Sequence, residues 1–240
     1  MDFVIHIANR NILIHGASAF LQKECKNYLA EEGAEPEIRI GINEELILAE
    51  KEFQQKNGEI FSRTASESIF VHRMVSEALL DRGVFLMHGA AIAADHESYL
   101  FSARSGTGKT THVQKWLQNI KDSYIVNGDK PMIIVQSDRA FACGTPWCGK
   151  EHFGTNAVVP LRSIVFMQRD EINRMEEISF RSAFPLLFEQ IYHPLDAYKM
   201  KKTLALLAEL RDCVKFYKFY CNNFRDDAFQ VSHDTLTRRD

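Results

Sequence analysis

Alternating and helix-spaced apolar residues run through the whole chain and predict a mixture of strands and helices. Alternation or short apolar runs predict strands near 3–7, 12–14, 37–42, 84–94, 99–102, 124–126, 132–135, 157–167 and 214–221. Helical spacing predicts helices near 21–29, 66–81, 113–120, 181–191, 201–211 and 225–236. Residues 44–58 are rich in Glu, Gln and Lys, and they form either a solvated helix or a mobile loop.

Two further segments have a less regular pattern. Residues 141–151 are rich in proline, glycine and aromatic residues, and we expect them to form an irregular loop. The apolar segment 157–167 is predicted to form two strands that are separated at Pro160. The order of all these segments predicts a mixed-sheet α/β protein, with an N-terminal lobe at 1–82 and a core at 83–240.

A glycine-rich segment at 101–111, FSARSGTGKTT, has the spacing of a phosphate-binding P-loop, with Ala103 where the leading glycine usually stands. Gly106 and Gly108 allow the backbone to turn sharply, so that successive N–H groups point at an anion. Lys109 supplies a positive charge for the outer phosphates, and the Thr110 hydroxyl suits a Mg²⁺ ligand. The candidate nucleotide-binding residues are Ser105, Gly106, Thr107, Gly108, Lys109, Thr110 and Thr111. The alternative is a tight turn that only connects a strand to a helix.

Two residues near this loop are candidates for catalysis beside Lys109. Asp129 follows an apolar strand that comes after the loop's helix, which is the expected place for a second Mg²⁺ group. The alternative for Asp129 is an ordinary turn residue before Pro131. His88 lies one strand before the loop, next to Gly89, and is either a functional residue or a hydrogen-bonded core residue.

Composition limits the class of protein. The 240 residues are 45% hydrophobic and 25% charged, which is typical of a globular protein, and the net charge of -3 gives no reason to expect a nucleic-acid partner. The five cysteines are scattered and odd in number, which argues against a disulfide framework. No apolar run is long enough for a membrane span, and the N-terminus has no signal-peptide pattern. We therefore expect a cytoplasmic protein without a membrane partner.

Several motifs together resemble the superfamily of HPr serine kinase/phosphorylase and ATP-dependent phosphoenolpyruvate carboxykinase. They are most similar to short bacterial carboxykinase-like or HPr-kinase-like proteins of the serine kinase type. The motifs are Leu86-Met-His-Gly89, Ser105 to His112, Asn127-Gly-Asp-Lys-Pro131, Gly144-Thr-Pro-Trp-Cys-Gly-Lys150 and Asn156 through Pro160-Leu161.

The resemblance implies a P-loop core of the HPr kinase/carboxykinase type that binds ATP and Mg²⁺. It implies transfer of the γ-phosphoryl group to a hydroxyl, often a serine, of a peptide, protein or small molecule. In this assignment Thr110 and Asp129 hold Mg²⁺, while His88, Lys150 and Asn156 lie on the acceptor side. Some relatives form homo-oligomers, so this chain could also form one.

One departure from the family pattern leaves an alternative function open. Close relatives have two adjacent acidic residues, in the order Asn-Asp-Asp-Lys-Pro, and this chain has Gly128 in the place of the first. The alternative is therefore a catalytically degenerate nucleotide-binding accessory or sensor protein. A common parallel-sheet P-loop protein is a third, weaker alternative, because about a hundred residues precede the loop.

Overall fold

The alternating isoleucines at the start of the chain form the first hairpin. In the computed structural model, which describes residues 1–238, β1 (Phe3–Ile7) pairs antiparallel with β2 (Arg10–His15). Strand β2 pairs in parallel with β3 (Ile38–Gly41), which completes a three-stranded sheet. The isoleucines at positions 5, 7, 12 and 14 are fully buried, so the face they share forms the core of this sheet.

Three α-helices accompany this sheet, and residues Met1–Arg82 form one compact unit. They are α1 (Ala19–Glu24), α2 (Glu44–Lys56) and α3 (Arg63–Leu79). The polar segment 44–58 thus contains a helix rather than a mobile loop, and the side chain of Asn43 caps its first turn by accepting a hydrogen bond from the N–H of Leu46. The buried carboxylate of Glu67 accepts hydrogen bonds from the backbone N–H and hydroxyl of Ser18, at 2.8 and 2.6 Å.

The second compact unit comprises Gly83–Asp240 and carries the phosphate loop. Its described strands are β4 (Val84–Leu86), β5 (Ala90–Ala94), β6 (Glu97–Ser102), β7 (Tyr124–Asn127), β8 (Met132–Gln136), β9 (Arg139–Cys143), β10 (Val158–Arg169), β11 (Arg174–Ile178) and β12 (Lys215–Cys221). Its described helices are α4 (Lys109–Asn119), α5 (Phe180–Gln190), α6 (Ala197–Leu210) and α7 (Ala228–Leu236). The mixed α/β class predicted from the sequence is confirmed.

The sheet of the second unit contains both parallel and antiparallel neighbours. Its order is β4-β8-β9-β10-β6-β5-β7, with β12 paired to β10 and β11 paired to β12. Strands β6 and β12 both run parallel to β10, whereas β5 lies between β6 and β7 and is antiparallel to both. Consequently β6, β7, β10 and β12 all end at the same edge of the sheet, and β5 begins there. The carboxyl ends of strands commonly carry the ligand sites of α/β sheets.

Two local predictions were wrong. The segment predicted to be irregular begins with β9, because residues 139–143 pair with β8 across a tight turn at Ser137. Residues 158–167 of the second segment lie in one continuous strand, β10, because the fixed φ of proline suits an extended chain and Pro160 lies where the strand changes partners. Residues 158–160 pair with β9, and the pairing with β6 begins at Leu161.

Aromatic side chains fill the core between α4 and the sheet. Trp116 is fully buried, and the centre of its ring lies 5.0 Å from that of Tyr99 and 5.7 Å from that of Phe101. This packing fixes α4 against β6, and so it fixes the start of α4, where the phosphate loop ends. None of the helices in residues 1–238 combines the length and apolar character needed to cross a membrane.

Candidate functional site

The phosphate loop connects the end of β6 to the start of α4. Gly106 and Gly108 have φ values of 76° and 113°, which residues with a Cβ adopt at a cost. A Cβ on Gly108 would also lie only 2.6 Å from Nδ2 of Asn223. Helix α4 begins at Lys109, so its unpaired N–H groups and the positive end of its dipole face the space in front of the loop. This backbone geometry suits an anion such as a phosphate group.

The side chain of Lys109 lies against its own loop. Its Nζ donates a hydrogen bond to the carbonyl oxygen of Ala103 at 2.8 Å, and the residue is almost fully buried. Burial lowers the pKa of the Lys109 ammonium group, and the negative charge of Asp129 opposes that shift. The Lys109 ammonium group therefore lies between the loop and the Asp129 carboxylate. A phosphate group bound there would gain a positively charged partner.

A buried asparagine positions Asp129. The Oδ1 of Asn127 accepts hydrogen bonds from the backbone N–H of Asp129 and of Lys130, at 2.9 and 2.7 Å. Its Nδ2 donates to Oγ1 of Thr145 at 2.9 Å, and that hydroxyl donates to the carbonyl of Lys130 at 3.0 Å. Asn127 and Thr145 are both fully buried. Sequence reasoning missed this pair, although an asparagine two residues before an aspartate is a recognisable turn signal.

His88 lies between Asp129 and the end of α5. Its Nε2 is 3.4 Å from Oδ1 of Asp129, and its Nδ1 is 3.1 Å from Oε1 of Gln190. The hydrogen bond with His88 is the largest cause that lowers the pKa of the Asp129 carboxyl group, while burial opposes the shift. The backbone of His88 is also fixed, because its N–H donates to the carbonyl of Gln190 and its carbonyl accepts from the Ser102 hydroxyl. Sequence reasoning did not single out Gln190.

One cavity of about 530 Å³ brings together most of the residues singled out from the sequence. Those that line it are His88, Ser105, Gly106, Gly108, Lys109, Thr110, Thr111, Asp129 and Lys150. Thr107 is not part of this lining and instead lines two neighbouring cavities. Asn156 is exposed and lies outside the lining. Glu151 and Phe153 also line the cavity.

The turn at 148–153 explains why a glycine stands at position 128. The N–H of Gly128 donates to the carbonyl of Phe153 at 2.8 Å, and an added Cβ would lie 3.3 Å from the carbonyl oxygens of both Cys148 and Phe153. The Cβ of an aspartate at position 128 would therefore lie beside two carbonyl oxygens, which cannot donate a hydrogen bond to its carboxylate. Gly149 has a φ of 80°, and a Cβ there would lie 3.0 Å from Cβ of Asp129. The turn packs directly against the strand end that carries Asp129.

The oxygen groups of the site fit Mg²⁺ only together with a phosphate ligand. Among residues 1–238 there is no group of three or more His, Cys, Asp or Glu side chains that could hold a metal alone. Thr110 and Asp129 supply one hydroxyl and one carboxylate to the same cavity. Mg²⁺ in nucleotide sites commonly takes one or two protein oxygens and completes its shell with phosphate oxygens and water. The two residues therefore fit a magnesium ion that binds with a nucleotide.

Comparisons with known proteins add little to this description. No protein-family model and no curated protein matches the chain. Among solved structures, the chain is similar to the HPr(Ser) kinase/phosphatase from Coxiella burnetii, at 11% sequence identity and a TM-score of 0.30. The alignment covers 64% of this chain and 99% of that one. A likeness at this level carries no argument about function, which has to come from the geometry of the site.

Proposed function

We propose that this protein is a Mg-ATP-dependent phosphotransferase that moves the γ-phosphoryl group to a hydroxyl, such as a serine of a peptide, a protein or a small molecule. The observation that carries the proposal is that Lys109, Thr110, Asp129 and His88 line one cavity in front of a phosphate loop. Phosphoryl transfer needs mainly positioning and positive charge, and these residues supply both. The resemblance of the sequence motifs to the HPr kinase/carboxykinase superfamily supports the same reaction.

The side chains have separate parts in the proposed reaction. Backbone N–H groups of the loop bind the phosphates, except that of Thr107, which donates to the carbonyl of Arg104. Lys109 leaves the carbonyl of Ala103 to neutralise the group being transferred. Magnesium, held by Thr110 and Asp129, would neutralise charge on the phosphate oxygens. As the acceptor oxygen bonds to the γ-phosphorus, the bond from that phosphorus to the β,γ-bridging oxygen breaks, and Asp129 receives the hydroxyl proton. A weak base is sufficient because the transition state is loose.

His88 is a positioning residue in this scheme. Its interaction with Asp129 favours the ionised carboxylate, and its contact with Gln190 keeps the ring at the end of α5. Lys150 and Glu151 are exposed at the cavity and are our candidates for contact with the acceptor.

A second candidate function is a nucleotide-binding accessory or sensor protein without catalysis. The specific observation in its favour is that the turn at 148–153 occupies the space around Gly128, which leaves Asp129 without the adjacent carboxylate of the family pattern. Binding alone needs the loop and Lys109, whereas transfer also needs a group that receives the acceptor proton.

Calorimetry and a transfer assay distinguish the two functions. The wild-type protein is titrated with Mg-ATP, and transfer of the γ-phosphoryl group is measured to serine, to serine-containing peptides and to water. A kinase transfers phosphate, and Lys109→Ala and Asp129→Asn each lower the rate by a hundredfold or more, on the order of a lost transition-state contact. Binding of ATP without transfer to any acceptor would favour the accessory function. Absence of binding would refute both.

A further inference from the structure

A second cavity also borders the phosphate loop. Its volume is about 490 Å³, and it is lined by the loop and by the segments that follow β10 and β12. Gly106, Gly108 and Thr111 line this cavity and also the cavity that contains Lys109 and Asp129. A chain of phosphates on the loop can therefore have one end at Lys109 and its other end at the second cavity.

Carboxylate side chains outnumber basic ones in the lining of the second cavity. The carboxylate-bearing residues Asp170 and Glu171 are among its lining residues, and the carboxylate of Asp170 already accepts hydrogen bonds from the Glu171 N–H and the Arg174 guanidinium. Acidic side chains repel a polyphosphate but accept hydrogen bonds from sugar hydroxyls and amino groups. Arg169, the basic residue of the lining, donates to the carbonyl of Gly106 and so is directed at the loop.

An exposed phenylalanine stands at this cavity on a turn that is anchored on both sides. The side chain of Phe224 is fully exposed, and its backbone N–H donates to Oδ1 of Asn222 at 3.1 Å. On one side, Asn223 Nδ2 donates to the carbonyl of Gly108 at 3.0 Å. On the other side, the N–H of Asn222 donates to Oδ1 of the buried Asn173 at 2.6 Å. These hydrogen bonds anchor the backbone of the turn beside the loop, and the Phe224 ring is left free to contact a ligand.

We propose that this second cavity binds the nucleoside end of the nucleotide, with the Phe224 ring stacked on the base. This inference rests on the proposed function, because it takes a nucleoside triphosphate as the ligand of the loop. Stacking on an aromatic ring needs only the flat face of a base, which an exposed phenylalanine on an anchored turn provides. The carboxylate of Glu171 is then an acceptor available to the sugar and to amino groups of the base.

Calorimetry with two ligands tests the subsite separately from the loop. Mg-ATP contains both a triphosphate and a nucleoside, whereas magnesium tripolyphosphate contains only the part that the loop would bind. We expect Phe224→Ala to weaken Mg-ATP binding by about fivefold or more, the lower end of the range for base stacking, and to leave tripolyphosphate binding unchanged. Phe224→Trp should retain the ATP affinity. Tyr198→Ala, which removes an exposed aromatic ring outside both cavities, should change neither affinity.

Each other outcome overturns the proposal in an identifiable way. An unchanged ATP affinity in Phe224→Ala, or equal affinity of the wild-type protein for the two ligands, would overturn the nucleoside subsite and leave the proposed function intact. An equal loss for both ligands would show that the turn acts only through Gly108, and that also overturns base stacking. If the wild-type protein binds neither ligand, the subsite and the proposed function both fail.

Discussion

Replacement of Asn127 by alanine tests whether one buried amide positions the Asp129 turn. The change removes two hydrogen bonds accepted from backbone N–H groups and the hydrogen bond donated to Thr145 Oγ1. Each buried hydrogen bond contributes about 1 kcal/mol net, and a buried group left without a partner costs about 1 to 3 kcal/mol. We therefore expect Asn127→Ala to lower the free energy of unfolding by about 3 kcal/mol. Asn119 is an exposed asparagine on α4, and Asn119→Ala should lower the free energy of unfolding by less than about 0.5 kcal/mol.

Urea unfolding measures this loss, and amide hydrogen exchange places it in the structure. The N–H groups of Asp129 and Lys130 should exchange faster in Asn127→Ala, because their acceptor is gone. A double-mutant cycle with Thr145→Val should give a coupling energy of about 1 kcal/mol between the two side chains. The reasoning is refuted if Asn127→Ala unfolds like Asn119→Ala, or if the exchange of the two amides does not change.

Three further predictions concern groups around the site. His88→Ala should raise the pKa of the Asp129 carboxyl group, and carbon-13 NMR titration measures that pKa directly. In the wild-type protein, the stability that ionised Asp129 contributes is present at neutral pH and is lost as the pH falls through the lowered pKa of the native state. Gly128→Ala should lower the free energy of unfolding by about 1 kcal/mol, and Gly128→Asp should lower it by more. Gly41→Ala is the control, because a Cβ at Gly41 would meet only open space. A Gly128→Asp variant that is as stable as the wild-type protein and transfers phosphate faster would contradict the packing argument. Burial lowers the pKa of His112 to about 4, so the wild-type protein should lose stability as pH falls from about 6.5 towards 4, and urea unfolding of His112→Gln should lack that dependence.

Local patterns in the sequence were enough to predict the elements that surround the loop. A phosphate loop is indicated where two glycines and a Lys-Thr pair follow a strand and begin a helix. The structure has this order, because the loop lies between β6 and α4. Asp129 was found in the same way, as an acidic residue after the next apolar strand. The error at Pro160 had a physical cause: pattern rules treat proline as a break, whereas this strand changes partners at that point.

The partners of these residues could not be predicted, because their contacts join distant parts of the chain. Gln190 is 102 positions from His88, and Asn223 is 115 positions from Gly108. An isolated Gln or Asn in a sequence has no periodicity that indicates its partner. The close packing around Gly128 was equally hidden, because it depends on the turn at 148–153 and not on the neighbours of Gly128 in the sequence.

The antiparallel strand β5 explains how the sheet assembles this site. Because β5 runs opposite to β6 and β7, its first residues lie at the edge where those two strands end. His88, just before β5, therefore lies between the phosphate loop after β6 and Asp129 after β7, although it precedes both in the sequence. A fully parallel sheet would place the start of β5 at the opposite edge and would leave Asp129 without this imidazole. The same edge carries the ends of β10 and β12, which is why the turn with Phe224 lies beside the loop. The mixed sheet thus accounts for both the proposed catalytic group and the proposed nucleoside subsite.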